Sequence, residues 1–320
     1  MEINEALINN FLSYLKNEGK KEKTIYTNRY NFMAFYHWLK ENKKHTVEQV
    51  DKLTIEEYKH FLFSLPASKY GKYKDRESLS SGTINQKLVA VKNFFKFLNY
   101  VYDLGIDASK IKMNKVRYQR CDSFSEEEIK EMIKAVNNTE KYELNRTRLK
   151  LLIMIAYTSG MRLNEIRNLT IQQVMEWKAK ITGKWDKDRR VYFTDNTQKL
   201  LLKYIELRKQ PIERTGKIGE DSMEYAVIGH NQETFWNKIG KQAITVWFQK
   251  LNKFLKRSKH ITLHTLRHSF ATKLVNEWVN LTSIQNLMGH AKLSTTAIYI
   301  HENWSNLKQV QDNTFKNFSI

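Results

Sequence analysis

The sequence predicts a mainly α-helical protein of two domains, with one small β-sheet in the second domain. Apolar residues recur at three- and four-residue intervals through most of the 320 residues, the spacing that lines one face of a helix. Only two prolines, Pro66 and Pro211, interrupt the chain, so long segments are free to hold helical hydrogen bonds. One stretch, KAKITGKWDKDRRVYF (178–193), breaks the period. It is short, charged and turn-containing, with β-branched and aromatic residues near its ends, and reads as a hairpin or three-stranded sheet.

Taken in order, the elements group into a first domain over residues 1–105, a basic linker over 106–121 and a second domain over 122–320. Leu7, Phe11 and Leu15 recur every four positions, and the pattern returns at Ile25, Phe32, Phe35 and Leu39. LTIEEYKHFLF opens a third helix, with Thr54 and Glu57 at capping-box spacing. SSGTINQKLVAVKNFFKFLNY forms a fourth, with Ile84, Leu88, Val91, Phe95 and Leu98 on one stripe. These stripes are expected to fill a core and to bind nothing.

Between the third and fourth helices, PASKYGKYKDRES interleaves Lys69, Lys72, Lys74 and Arg76 with Tyr70 and Tyr73. It reads either as a solvated loop or as a finger that grips phosphates. The linker, within GIDASKIKMNKVRYQRC, carries Lys110, Lys112, Lys115, Arg117 and Arg120. Apolar periodicity stops there and restarts at a fresh cap, Ser125 with Glu128. The second domain begins with the helical TRLKLLIMIAYTSGMRLNEIRNL, crosses the β stretch, and becomes helical again at TDNTQKLLLKYIELRK and TVWFQKLNKFLKRSK.

Charge narrows the partner. Lys and Arg number 54 against 34 Asp and Glu, a formal net charge of +20 with a pI near 9.7. Such an excess suits a polyanion, and nucleic acid is the commonest; a lysine-rich surface from a biased genome is the plainer alternative. No apolar run approaches the ~20 residues that span a bilayer, and MEINEALINN has no basic region of the kind that opens a signal peptide. A single cysteine, Cys121, excludes an internal disulfide and a cysteine-rich zinc site. A reducing cytoplasm is expected.

The chemistry concentrates in HTLRHSFATKLVNEWVNLTSIQNLMGHAKLSTTAIYIH (264–301). His264 and His268 lie at i, i+4, but the H-E-x-x-H metal motif needs glutamate where Thr265 stands. Neither a G-x-S-x-G elbow nor a phosphate-binding G-x-x-x-x-G-K-[ST] loop is present, so no cofactor is expected. A metal-free phosphodiester transfer needs forked guanidiniums for the charge on the phosphorane, a nucleophile, a base and an acid. Arg162, Lys184, His264, Arg267, His290 and Tyr299 could fill those roles. Each alone reads as core or surface; their order is harder to obtain by accident.

In this respect the chain resembles the tyrosine recombinase family, the phage-integrase-type site-specific recombinases. Gly160 and Arg162, followed by Glu165, match a TG-x-R turn, and Gly183, Lys184, Lys187 and Arg189 match a GKGxKxR hairpin. His264, Leu266, Arg267 and His268 match an HxLRH box; Leu287, Gly289 and His290 match LLGH; and TTAIYIH places the nucleophile at Tyr299. The resemblance implies that Tyr299 attacks the scissile phosphate and forms a 3′-phosphotyrosyl link. It also implies that Arg162 and Arg267 clamp the phosphate with His290, that Lys184 is the general acid, and that His264 helps take the tyrosine proton.

By the same resemblance, the fold is a two-domain, C-shaped clamp on duplex DNA. Its first domain is the helical, SAM-like core-binding domain and its second is the catalytic domain. The reaction passes through a Holliday junction without metal or ATP. The partners are a double-stranded core site with inverted repeats and further protomers, as a dimer per site and a tetramer in synapsis, or a paired recombinase. No membrane is involved, and a cytoplasmic, nucleoid-associated protein is expected. The role is Xer-like dimer resolution or integration of a mobile element. The alternative on the same fold is a repressor-like DNA-binding protein with weak or no catalysis.

Three tryptophans depart from the family pattern. Trp185 follows Lys184 where the hairpin has glycine, Trp278 stands at a helix-to-helix turn where Asn-Gly is common, and Trp177 lies near another such turn. Glycine serves these turns because positive φ is cheap for it. The 11 glycines are about half of the ~7% average usage. Either the turns are remodelled, or a stop-type codon is read as glycine in the source and has been rendered here as tryptophan.

Overall fold

Among the described residues, four α-helices build the first of two units, Met1–Tyr118. They are α1 (Glu5–Asn17), α2 (Glu22–Glu41), α3 (Lys52–Ser64) and α4 (Ser81–Tyr102). The computed structural model describes residues 1–66, 78–104, 108–116, 122–182, 188–215, 224–229 and 237–299. The basic segment Lys69–Arg76 and the linker residues Arg117 and Arg120 lie outside them.

The expected α4 stripe is the centre of this unit: Ile84, Leu88, Val91, Phe95 and Leu98 are all fully buried. Phe94 meets Phe32 of α2 at a ring separation of 4.2 Å and Phe11 of α1 edge-on at 5.5 Å. Aromatic pairs of this kind add about 0.5–1.5 kcal/mol beyond the area they bury. Ser80 caps α4 by accepting from the Thr83 amide. The α3 cap differs from expectation. Asp51 accepts from the amide and hydroxyl of Thr54, and Thr54 is buried inside the first turn. A carboxylate one turn upstream outcompetes the hydroxyl, and its carboxyl is held below the usual range by those two bonds.

The described part of the second unit, Gln119–Ile320, is mainly helical around a main core. It opens with α5 (Glu126–Thr139), whose Ser125–Glu128 capping box forms as the sequence predicts. The central helix is α6 (Glu143–Ser159), where Leu151, Leu152, Ile153, Ile155 and Ala156 are fully buried. Short helices α7 (Leu163–Arg167) and α8 (Ile171–Met175) lead into β1 (Lys178–Thr182) and β2 (Asp188–Tyr192). These strands pair antiparallel, with Ile181 opposite Arg189. The change of period therefore marks a two-stranded hairpin.

Helix α9 (Asp195–Thr215) packs along α6. A further antiparallel pair, β3 (Ile228–Gly229) with β4 (Asn237–Lys238), was not expected. Two residues per strand are too few to show a period. Helices α10 (Lys241–Leu255), α11 (Leu263–Asn276), α12 (Leu281–Met288) and α13 (Ser294–Ala297) complete the described part. Among the described residues, no helix is long and apolar enough to cross a membrane.

A small separate cluster gathers Ala271 of α11, Ile284 and Met288 of α12, and Tyr299 just beyond α13. Trp177 and Trp278, at the ends of α8 and α11, take φ of +62° and +59° and are about half exposed. Trp185 lies outside the described residues.

Candidate active site

Three arginines converge on the end of α12. Its last carbonyls each accept from a different one: Leu287 O from Arg189 Nε at 2.9 Å, Met288 O from Arg267 Nη2, and Gly289 O from Arg162 Nη2 at 3.0 Å. A helix C-terminus leaves such carbonyls unpaired and carries partial negative charge, so it suits guanidiniums. The geometry needs Gly289. At φ +60° the chain turns left-handed, and a Cβ there would stand 2.9 Å from Cδ and Nη1 of Arg189.

Gly160 plays the matching part at the end of α6. Its φ is +61°, its carbonyl accepts from Arg267 Nη1, and a Cβ would meet the Phe270 ring at 2.4 Å. This turn delivers Arg162 to the N-cap of α7.

Glu165 joins the arginines. Its Oε1 accepts from Arg162 Nη1 at 3.1 Å and Arg189 Nη1 at 3.0 Å, and its Oε2 from Arg189 Nη2 and the Arg162 amide, both at 2.6 Å. Burial alone would raise this carboxyl, but the Arg189 bonds, the Arg162 amide and both positive charges hold it down at about 2. Arg189 and Arg267 are buried, whereas the Arg162 side chain is 41% exposed. Among the described residues three guanidiniums face one carboxylate, an excess of positive charge. Burial, then Arg162 and Arg189, pushes Arg267 down to about 9, which leaves it protonated at neutral pH.

The histidines and the tyrosine form a second group beside the arginines. Tyr299 is 2% exposed, with its ring in the small apolar cluster. Its hydroxyl lies 2.5 Å from Nδ1 of His268, and Nε2 of His268 lies 2.9 Å from Nε2 of His264. His290 sits beyond the αL turn at Gly289, with Nδ1 2.9 Å from the Thr296 hydroxyl and its ring nearly parallel to that of Tyr299 at 6.5 Å. Burial and the neighbouring Arg267 and Arg162 push His290 down to about 4. His268 is likewise held at about 4, by burial, His264 and Arg267. Both are neutral at pH 7.

Five of the six predicted residues, Arg162, His264, Arg267, His290 and Tyr299, thus lie on the turns and helices just described; Lys184 lies outside the described residues. Sequence reasoning weighs His268 as a metal ligand and matches it to the HxLRH box without giving it a role. Its i, i+4 spacing from His264 and its place beside Arg267 were the signal that could have put it at the tyrosine. Glu165 and Arg189 were matched to the family pattern without a role, and the carboxylate bridging both arginines supplies one.

The model of the phage integrase family matches residues 122–305, and that of the phage integrase N-terminal SAM-like domain matches residues 8–100. Tyrosine recombinase XerA of Pyrococcus horikoshii is 27% identical over 310 residues, covering 96% of this chain and 93% of its own length. Tyrosine recombinase XerD of Oceanobacillus iheyensis is 28% identical over 315 residues, covering 96% and 97%. Two solved structures share the fold. A lambda integrase dimer bound to a COC′ core site has a TM-score of 0.67 at 13% identity, over 94% of this chain and 95% of its own. The XerH recombinase bound to its difH substrate before cleavage has a TM-score of 0.64 at 23% identity, over 90% and 78%. With a match that spans more than half its length, this chain belongs to the phage integrase family.

Proposed function

We propose that the protein is a site-specific DNA recombinase of Xer-like type. It breaks and rejoins strands through a 3′-phosphotyrosyl intermediate and a Holliday junction, without metal or ATP. The carrying observation is the meeting, at one helix end, of three guanidiniums, with a tyrosine hydroxyl hydrogen-bonded to a neutral histidine beside them.

In this reading the first unit, with the basic linker, holds the core site and the second performs the chemistry. Arg162, the exposed arginine, and Arg267 grip the non-bridging oxygens of the scissile phosphate with His290. Their charge is worth most in the transition state, where the phosphorane is richest in negative charge. Tyr299 attacks in line, His264 takes part in removing its proton, and Lys184 protonates the departing 5′ oxygen. The phosphotyrosyl bond conserves the energy of the phosphodiester, so a 5′-hydroxyl of a partner strand can reverse the step. Synapsis of two inverted-repeat core sites brings together four protomers, of this chain alone or with a second recombinase. The role is dimer resolution or integration of a mobile element.

The test is a nicked suicide substrate from the genomic locus of the gene, incubated with excess chelator. A covalent protein–DNA adduct that disappears in Tyr299→Phe supports the reading. Tight DNA binding with no adduct on a site the protein protects sinks it.

A further inference from the structure

Resting on the recombinase reading, we infer that His268 is a further catalytic residue, the first of a two-histidine relay that carries the Tyr299 proton to His264 and out to solvent. The phenol is the starting difficulty. A tyrosine 2% exposed has no direct path for its proton into water, and ionising it in place would leave a phenolate in an apolar cluster. The hydrogen bonds offer the exit. His268, itself buried, holds Nδ1 2.5 Å from the tyrosine oxygen and Nε2 2.9 Å from His264, which opens to solvent.

The tautomers follow from the donors. Tyr299 O–H donates to Nδ1 of His268, so His268 carries its proton on Nε2 and donates it to Nε2 of His264, whose own proton is then on Nδ1. As the tyrosine oxygen bonds to phosphorus, its proton passes to Nδ1 of His268 and the Nε2 proton of His268 passes to His264. His268 ends neutral in its other tautomer, and His264 ends as the imidazolium. The phosphorus bond to the 5′ oxygen breaks with its electron pair, and that oxygen takes a proton from the separate acid. The i, i+4 spacing on α11 makes this possible, because it sets the two imidazoles one turn apart, edge to face with ring centres 4.2 Å apart.

The experiment is single-turnover adduct formation by the full chain on nicked DNA, with melting temperature and DNA affinity measured alongside. His268→Asn keeps a polar group near Nδ1 but cannot relay a proton. It is expected to bind DNA as wild type does and to form adduct on the order of 10²-fold more slowly. A substrate with sulfur as the 5′ bridging atom, whose thiolate departs without a proton, is expected to leave that defect in place. His264→Ala, a change at the solvent end, is expected to slow the reaction and to recover when imidazole is added. Wild-type rates in His268→Asn, or full rescue by the bridging sulfur, overturn the relay and leave the recombinase reading standing. A wild type without adduct overturns both.

Independently of the histidines, the backbone at Trp177 and Trp278 points to a change of residue, and we propose that both positions are glycine in the protein as its source cell makes it. After α11, the Trp278 amide bonds Val275 O and the Val279 amide bonds Leu274 O, the paired bonds of a Schellman turn with Trp278 at its left-handed position. At the same position of the same turn, this chain uses Gly19 after α1, Gly289 after α12 and the flexible, polar Lys43 after α2, and no second aromatic residue among the described residues. Trp177 is left-handed too, and the two indoles are 47% and 49% exposed, so neither is there for burial. By contrast, Trp38 is buried against Phe35 and Tyr58, and Trp247 lies under the Arg148 guanidinium at 4.0 Å, as tryptophans do. Peptide mass spectrometry of protein purified from the source cell is expected to read glycine at 177 and 278 and tryptophan at 38 and 247. Tryptophan at 177 or 278 overturns the proposal.

Discussion

Glu165→Gln removes the one carboxylate that bonds the arginines among the described residues, and its cost can be worked out in two ways. By contacts, Glu165 accepts four hydrogen bonds, two of them from Arg189, whose side chain is only 5% exposed. The glutamine amide would turn a donor toward donors and leave a buried guanidinium uncompensated, a change that costs about 3–5 kcal/mol. By titration, the carboxyl falls from its ordinary 4.5 to about 2, which at about 1.4 kcal/mol per unit is roughly 3 kcal/mol. The two routes agree within their precision. Because the folded value lies below the unfolded one, this stabilisation is complete above pH about 4.5 and is lost as pH falls toward about 2. Urea unfolding of wild type and Glu165→Gln should therefore differ by about 3 kcal/mol at pH 7, with the gap narrowing steadily below pH about 4.5. A gap under about 1 kcal/mol at pH 7, or one unchanged at low pH, would refute the assignment of Glu165 as the charge that holds the platform together.

Trp278→Gly should stabilise the protein by about 0.5–1 kcal/mol, since relief of a left-handed L-residue exceeds the entropy that glycine adds to the unfolded chain; a lower melting temperature would count against it. Gly289→Ala should destabilise by about 1–3 kcal/mol and slow adduct formation, because Arg189 is buried and has little room to retreat from the new methyl group. DNA affinity should fall steeply and linearly in log–log form with salt, as measured by anisotropy, with Arg162→Ala reducing the slope.

Much of the fold was legible because it rests on long periods. The α4 stripe spans four turns and its five members are all buried, and the Ser125–Glu128 box caps α5 as read. Local competition was harder to foresee. Asp51 captures the cap from Thr54, and β3 with β4 is too short to carry a pattern. In the candidate site, residue types and order point to Arg162, His264, Arg267, His290 and Tyr299, which the fold gathers around the end of α12 and the neighbouring cluster. What the sequence could not carry is direction. That three successive carbonyls at residues 287–289 each hold a different arginine depends on a left-handed turn meeting two other segments in space. That Tyr299 faces His268 rather than His264 depends on which ring nitrogen of α11 points at the apolar cluster.

The most direct test of the account is to digest the covalent adduct from nicked DNA with nuclease and protease and to locate the nucleotide by mass spectrometry. The account predicts a single linkage, at Tyr299, through a 3′-phosphate. A nucleotide on another residue, or one attached through its 5′-phosphate, would contradict it.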